Sequence, residues 1–177
     1  MSDPSQRALR DALGAFATGV TVVTAISPRG EAIGVTVNSL TSVSLHPPLI
    51  LWCLQNSSTR RDAFAAGRRF AVCMLAAHQQ ALALRFAGKA PAKFPELASL
   101  DPDAEPPILP GTICRLDCLT EKVIEAGDHQ VVLAAVTAFK QSGGSPLLFH
   151  GGRFGRFDLD PQSKKVEAWE SYFGEWF

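Results

Sequence analysis

The stretch VTVVTAISPRGEAIGVTVNS, residues 20–39, sets the character of the fold. Its two arms are rich in β-branched residues that alternate with other residue types, which is the pattern of paired strands. Between the arms, Pro28 and Gly30 supply the fixed and the permissive backbone conformations that a tight turn needs. The stretch therefore predicts a β-hairpin at the start of a sheet.

Further strand segments follow this hairpin, and helices stand between only some of them. Apolar runs of strand length recur at residues 49–54, 68–75, 112–126, 129–140 and 146–158. Helical spacing predicts an amphipathic helix from Pro4 toward Gly19, a short helix at residues 60–66 and another at residues 77–88. Because helices do not follow every strand, the order favours an antiparallel barrel over a doubly wound parallel sheet. The sequence thus predicts a mainly β fold with flanking helices.

Length and charge limit the classes of function. The 177 residues are 46% hydrophobic and 19% charged, which is typical of one globular domain, predicted here over residues 1–177 with its core at about 9–157. Lys plus Arg and Asp plus Glu are both 17, so no overall field favours nucleic acid or an anionic membrane. No signal peptide or membrane span is recognisable, and we expect a soluble, cytoplasmic protein.

Metal and nucleophile chemistry have little support in the sequence. Four cysteines are present, Cys53, Cys73, Cys114 and Cys118, and their apolar surroundings indicate buried thiols and no metal site. The G-x-G-x-x-G, G-x-x-x-x-G-K-[ST], H-E-x-x-H and G-x-S-x-G motifs are all absent. We therefore expect a function without a metal, a catalytic triad or a Rossmann-type nucleotide site.

Two polar segments at strand ends are candidates for ligand binding. In residues 36–44, Asn38, Ser39, Thr41 and Ser42 bring many donors and acceptors into a small space, which suits a planar heterocycle with polar edges. The alternative is a hydroxyl-rich strand that caps its own turns. In residues 55–64, Arg60 and Arg61 fall in the predicted first turn of a helix, where they oppose its dipole unless an anion binds. The alternative there is a pair of solvated arginines, and Arg85, Lys89 and Lys93 form a second basic cluster with the same two interpretations.

The stretch VIEAGDHQVVLAAV, residues 123–136, contains an ionisable pair between two strands. A two-residue hairpin more often uses Asn-Gly or Asp-Gly, so a turn explains Gly127 but not an imidazole at the start of an apolar strand. His129 is therefore either a ligand contact or a histidine satisfied by Asp128 or by a backbone carbonyl.

Seven segments occur in an order that resembles one known family. They are FATGVTVVTA (residues 16–25), GVTVNSLTSVSLHPPL (34–49), SST (57–59), RFAVCMLAAHQ (69–79), RFAGKAPAKF (85–94), GDH (127–129) and PLLFHGGRFG (146–155). Together they resemble the flavin reductase-like domain family, the small reductase components of two-component flavin-dependent monooxygenases. The resemblance covers roughly residues 9–157, and it is specific because the seven segments keep their order.

The resemblance implies a split β-barrel of Greek-key, FMN-binding type, usually a homodimer, that binds FMN or FAD and reduces it with NADH or NADPH. It implies that Thr36, Asn38, Ser39, Thr41 and Ser42 hold the isoalloxazine and ribityl chain. It further implies that Ser57, Ser58 and Thr59 bind the phosphate, with Lys93 and Phe94 closing over it. His129 would lie near the nicotinamide, and Arg153 with Phe154 would lie near the flavin, although family members often have tyrosine at the position of Phe154.

The leading hypothesis is an NAD(P)H:flavin oxidoreductase that supplies reduced flavin to a separate oxygenase. One alternative is a flavin-binding protein that stores or relays flavin without reducing it. Another is an FMN-dependent oxidase of a related barrel family that acts on its own substrate. Hydride transfer from nicotinamide to flavin is the cofactors' own chemistry, which agrees with the missing nucleophile and metal motifs.

Overall fold

The computed structural model describes residues 4–88, 94, 101, 103–158 and 160–163. Its elements, in chain order, are α1 (Pro4–Leu13), β1 (Thr18–Gly19), β2 (Thr21–Ile26), β3 (Ala32–Val37), β4 (Thr41–Leu45), β5 (Pro48–Gln55), a 3₁₀ helix (Arg61–Phe64), β6 (Arg69–Met74), α2 (Gln80–Phe86), β7 (Cys114–Ala126), β8 (His129–Gln141), β9 (Leu147–His150) and β10 (Arg153–Arg156).

The predicted hairpin is confirmed as β2 and β3. The strands pair antiparallel from Thr21↔Val37 to Ile26↔Ala32. Ser27 closes the turn, since its carbonyl accepts from Gly30 N–H and its hydroxyl accepts from Glu31 N–H at 3.1 Å. All six residues of β2 are buried, because β6 pairs with its other edge. The hairpin therefore contributes one central and one edge strand.

The seven-stranded sheet has the order β3-β2-β6-β7-β8-β5-β4, with every neighbouring pair antiparallel. Its two edge strands, β3 and β4, are consecutive in the chain and are joined by residues 38–40 alone. A three-residue connection spans only about 10 Å, so the sheet must curl until its edges approach each other. The result is a barrel that stays open between β3 and the β4–β5 pair, which is the predicted split barrel.

The barrel interior is filled by side chains from the strands and from the 3₁₀ helix. Trp52 packs edge-on against Phe64 and Phe70, with ring centroids 4.8 and 5.9 Å apart, and all three are fully buried. Such aromatic pairs add about 0.5–1.5 kcal/mol each beyond the burial of their area. Since Trp52 lies on β5, this cluster packs against the strand whose end borders the opening.

A second apolar cluster lies outside the barrel, under α2. A small sheet of order β1-β9-β10 supplies Leu147 and Phe149, and α2 supplies Ala83 and Phe86. The ring of Phe86 lies against the bare backbone of Gly34, which leaves α2 flat on β3. This contact sets the position of the end of α2 beside the barrel opening.

Two helix predictions differ from the structure. The first helix ends at Leu13, because the chain must extend to pair Thr18 with Phe149 in the small sheet. Within α1 none of the residues is buried by the described part of the chain, so its apolar stripe is not packed on the described core as in a typical amphipathic helix. The helix predicted at residues 60–66 is one 3₁₀ turn, since Ala65 is already extended.

In the described residues, no helix is long and apolar enough to cross a membrane.

Candidate functional site

A cleft of about 550 Å³ occupies the opening of the barrel. One side is the unpaired edge of β3 and the other is the end of β5, two strands that are not neighbours in the sheet. The lining residues come from β3 and the connection after it, the end of β5, the loop that follows, the end of α2 and the start of β8: Val35, Thr36, Val37, Asn38, Ser39, Cys53, Leu54, Gln55, Ser57, Ser58, Thr59, Arg60, Phe86, Ala87, Gly88 and His129. The lining of the cleft thus combines apolar side chains with polar groups.

Two hydroxyls of the first polar segment serve the framework of the cleft. Thr36 Oγ1 donates to the carbonyl of Ala83 at 2.7 Å and thereby fixes α2 to β3. Ser39 Oγ accepts from Cys53 N–H at 2.9 Å and joins the two sides of the opening. Asn38 lies between them, is exposed, and makes no side-chain hydrogen bond to the described part of the chain. Its amide is therefore available to a molecule in the cleft.

The loop after β5 forms the polar end of the cleft. Ser58 N–H donates to the Gln55 carbonyl at 2.9 Å, and Ser58 Oγ accepts from Arg60 N–H, so the loop turns tightly. Arg60 is buried at the cleft wall, where Nη2 donates to the Gly88 carbonyl at 3.1 Å. Burial lowers the pKa of the Arg60 guanidinium from its ordinary value, yet an arginine keeps its charge in proteins. A partly desolvated cation beside loop hydroxyls suits a phosphate.

Arg61 is directed away from this end of the cleft. Its Nη2 lies 2.7 Å from Glu125 Oε1, and its Nε donates to Gln130 Oε1 at 2.9 Å. The expectation that both arginines oppose a helix dipole is therefore wrong, since there is no α-helix here and Arg61 has a carboxylate partner. Only Arg60 of the pair lines the cleft.

His129 lies at the start of β8, opposite Gln55 on β5, and it lines the cleft. Its Nδ1 is 2.7 Å from Asp128 Oδ1, and this hydrogen bond lowers the pKa of the exposed Asp128 carboxyl. Because a carboxylate only accepts, Nδ1 carries the hydrogen and Nε2 is the acceptor of the neutral ring. The two interpretations of His129 are thus compatible, since the same ring contacts Asp128 and faces the cleft region.

Five predicted site residues do not line the cleft, and a sixth lies outside the described residues. Thr41 and Ser42 are exposed on β4, because the chain has already crossed the opening at Ser39. Arg153 is exposed on β10, and Phe154 packs on Phe149 with centroids 5.4 Å apart. Phe94 packs on Phe86, 5.1 Å away, next to the cleft. Lys93 is the residue outside the described part of the chain.

The lining residues absent from the sequence prediction include Cys53, Leu54, Gln55 and Phe86. The first three belong to a strand whose alternation signals only a buried face, and Phe86 was part of a helix that shows only an apolar stripe. For the three β5 residues, the sequence did offer one indication, because β5 runs directly into the polar loop that begins at Asn56. Among the described residues, no group of three or more His, Cys, Asp or Glu could hold a metal ion.

Comparison with known proteins gives consistent matches. A family model described as "Flavin reductase like domain" matches residues 13–158. The chain is 46% identical over 153 residues to "FMN reductase (NADH) SmoA" of Agrobacterium fabrum, a match that covers 86% of this chain and 87% of that protein. It is 36% identical over 148 residues to "Flavin-dependent trigonelline monooxygenase, reductase component" of Acinetobacter baylyi, covering 84% of this chain and 48% of that protein, so it spans about half of that relative's length.

The fold agrees with a solved structure in the same group of proteins. The NADH:FAD oxidoreductase SgcE6 of Streptomyces globisporus, in complex with NAD and FAD fragments, superposes with a TM-score of 0.78. The sequences are 36% identical, and the match covers 92% of this chain and 99% of that one.

Proposed function

The chain belongs to the flavin reductase-like domain family, and on that premise we propose that it is an NAD(P)H-dependent flavin reductase, an oxidoreductase that reduces FMN or FAD. The observation that carries the proposal is the cleft in the barrel opening, which has a phosphate-suited loop at one end and His129 on its lining. Its volume of about 550 Å³ lies within the range of about 300–1,000 Å³ that is usual for cofactor pockets. We also propose that residues 1–177 form a single domain with its core at about 9–157.

The residues present fit a flavin, judged by their donor chemistry. Ser57, Ser58 and Thr59 would hold the phosphate, with the buried charge of Arg60 behind them. Phe86 and Leu54 offer the apolar surface that a ring system needs, and the Asn38 amide can pair with polar ring edges. Thr36 and Ser39 act indirectly, because their hydroxyls fix the two sides of the cleft.

Hydride transfer between a nicotinamide and the flavin is chemistry that the two cofactors supply when bound. The contribution of the chain is to hold the rings so that reacting atoms are about 3–3.5 Å apart and to exclude water. His129 is proposed to contact the nicotinamide nucleotide, either at its carboxamide or at its pyrophosphate. Asp128 supports this role, because its bond to Nδ1 fixes the orientation of the ring.

A spectrophotometric assay tests the function directly. We expect oxidation of NADH or NADPH to depend on added FMN or FAD. Flavin binding without nicotinamide oxidation would identify a storage or relay protein. Flavin that is reduced only by a separate organic substrate would identify an oxidase. The reduced flavin is proposed to pass to a separate monooxygenase, which adding a candidate oxygenase component to the same assay would test.

The phosphate assignment makes a comparison of ligands informative. Replacing Ser57, Ser58 and Thr59 by alanine should weaken FMN more than riboflavin, because only FMN carries the phosphate. Losing one hydrogen bond to a charged group costs roughly 1.5–3 kcal/mol, or about 10- to 100-fold in affinity. Equal losses for the two ligands would place the phosphate elsewhere.

We further propose that the protein is a cytoplasmic homodimer. Support comes from apolar side chains on the surface of one chain, including Leu13 on α1 at 67% exposed and Phe139 on β8 at 74% exposed. A second copy would bury such groups, and exposed sheet edges add to the tendency to pair. Sedimentation showing an active monomer at micromolar concentration would contradict the dimer, and cell fractionation tests the location.

A further inference from the structure

One residue, Asn56, holds both carbonyls of the turn that carries His129. Its backbone N–H donates to the Asp128 carbonyl at 2.9 Å, and its side-chain Nδ2 donates to the Gly127 carbonyl at 3.0 Å. Asn56 is the first residue after β5, immediately before the loop proposed to bind phosphate. Asn56 thus joins the loop after β5 to the turn that precedes His129.

The turn is closed by the pairing of Ala126 on β7 with His129 on β8, and beyond that pairing its tip makes few contacts with the described part of the chain. Gly127 adopts a positive φ of 64°, and a Cβ added there would meet no heavy atom within 4 Å. The Asp128 side chain is 93% exposed, so packing does not fix the turn. A turn held by few contacts fluctuates unless hydrogen bonds restrain it.

The Asn56 side chain keeps this geometry at a cost. Its Oδ1 is buried and has no hydrogen-bond partner in the described part of the chain. A buried unpaired acceptor destabilises a fold. The hydrogen bond from Nδ2 to the Gly127 carbonyl therefore holds the amide in this orientation. Turning the amide over would place Oδ1 against the Gly127 carbonyl, where two acceptors repel each other.

We propose that Asn56 is a positioning residue, which holds the Gly127–Asp128 turn so that His129 keeps its place at the cleft. The inference rests on the proposed function, because it assigns His129 to the nicotinamide. Asn56 acts through the turn and needs no contact with either nucleotide. Its loss should therefore affect the reaction with NADH and leave flavin binding nearly unchanged.

Arg61 provides a matched control. It joins the same two segments through Glu125 and Gln130, but it touches neither carbonyl of the turn and does not line the cleft. Its side chain is 39% exposed and that of Glu125 is 63% exposed, and ion pairs at such positions contribute little. Arg61→Ala should leave both NADH kinetics and flavin affinity within about twofold of the wild-type protein.

The experiment is stopped-flow reduction of bound flavin over a range of NADH concentrations, with flavin titration and a melting curve for each variant. Asn56→Ala should raise the NADH concentration for half-maximal reduction, or lower the limiting rate, by about 3- to 10-fold, with the flavin dissociation constant changed less than about twofold. Asn56→Asp keeps the size of the side chain and removes the donor, so it should act in the same direction even if Asn56→Ala unfolds. In a His129→Ala background, neither substitution should have a further effect.

Hydrogen exchange gives a readout that does not depend on turnover. Amide exchange at the turn, residues 127–129, should be faster in Asn56→Asp than in the wild-type protein and unchanged in Arg61→Ala. Additive effects of Asn56 and His129, equal losses of flavin and NADH binding, or unchanged exchange at the turn would each overturn the inference. A wild-type protein that oxidises neither NADH nor NADPH with added flavin overturns the proposed function and this inference together. If the wild-type protein is active but Asn56→Asp changes neither the NADH kinetics nor the amide exchange at the turn, this inference alone is overturned.

Discussion

Gly34→Ala tests how tightly the cleft wall is packed. A Cβ at Gly34 would lie 2.5 Å from Cδ1 and 2.7 Å from Cε1 of Phe86, distances that real Cβ atoms do not reach. Since carbon atoms pack at about 3.5–4.0 Å, the ring would have to recede by roughly 1 Å. Phe86 is 1% exposed and packs on Phe94, so α2 must lift away from β3.

The size of the effect follows from these contacts. Forcing one methyl group into a packed core costs about 1–3 kcal/mol. Lifting α2 also stretches the 2.7 Å bond from Thr36 Oγ1 to Ala83, worth about 0.5–1.5 kcal/mol. The better strand propensity of alanine over glycine offsets about 0.5–1 kcal/mol. The midpoints of these contributions combine to a loss of about 2 kcal/mol, which lowers Tm by about 4–8 °C in a chain of this size.

Thermal and denaturant unfolding measure this loss, and Gly155→Ala is the control. Gly155 lies in β10, and a Cβ added there meets nothing within 4 Å, so its replacement should leave stability unchanged or slightly higher. Flavin affinity should fall in Gly34→Ala only, because Phe86 lines the cleft. Combining Gly34→Ala with Phe86→Leu should cost less than the two single substitutions together. A Tm for Gly34→Ala within about 1 °C of the Gly155→Ala value would refute the packing argument.

Two further predictions concern titratable groups. Iodoacetamide at pH 8 should modify Cys53, which lines the cleft, and bound flavin should slow that reaction. Cys118 should react only when the protein unfolds, because burial raises the pKa of its thiol to about 12. Mass spectrometry of the digested protein shows which cysteine carries the label. The Asp128 carboxyl should titrate below its ordinary 3.8 in an NMR experiment and return toward 3.8 in His129→Ala. Because the pKa of Asp128 is lowered in the folded protein, its contact with His129 contributes stability that is fully present above pH 3.8. That stability is lost as the pH falls through the lowered pKa. An unchanged Asp128 titration in His129→Ala would contradict this assignment.

The fold was predictable where the sequence pattern depends on local periodicity. Alternation in residues 20–39 gave the hairpin, because β2 is buried between two strands and β3 lies under α2. Periodicity failed for the first helix, since the stripe that includes Leu9 and Leu13 is amphipathic but finds no apolar partner in the described chain. A helical pattern specifies an apolar face without specifying what covers it.

The candidate site was predictable in its polar part and not in its apolar part. Seven predicted residues line the cleft, namely Thr36, Asn38, Ser39, Ser57, Ser58, Thr59 and His129. Polar side chains at strand ends stand out in a sequence, whereas Leu54 and Phe86 resemble any other core residue. Thr41 and Ser42 were predicted together with Ser39 but lie outside the cleft, because sequence proximity to Ser39 does not reveal that the chain has crossed the opening.

The location of the cleft follows from the order of the strands. A closed barrel would pair β3 with its neighbour across the opening, and backbone hydrogen bonds would occupy the space that a ligand needs. Here Ser39 bonds to Cys53 instead, so one side chain joins the two sides and the opening persists beyond it. The polar loop after β5 and the turn that carries His129 both lie at that opening, and Asn56 joins them. The polar loop and His129 are far apart in sequence, yet both reach this cleft because β5 pairs with β8. That pairing places Gln55, just before the loop, opposite His129.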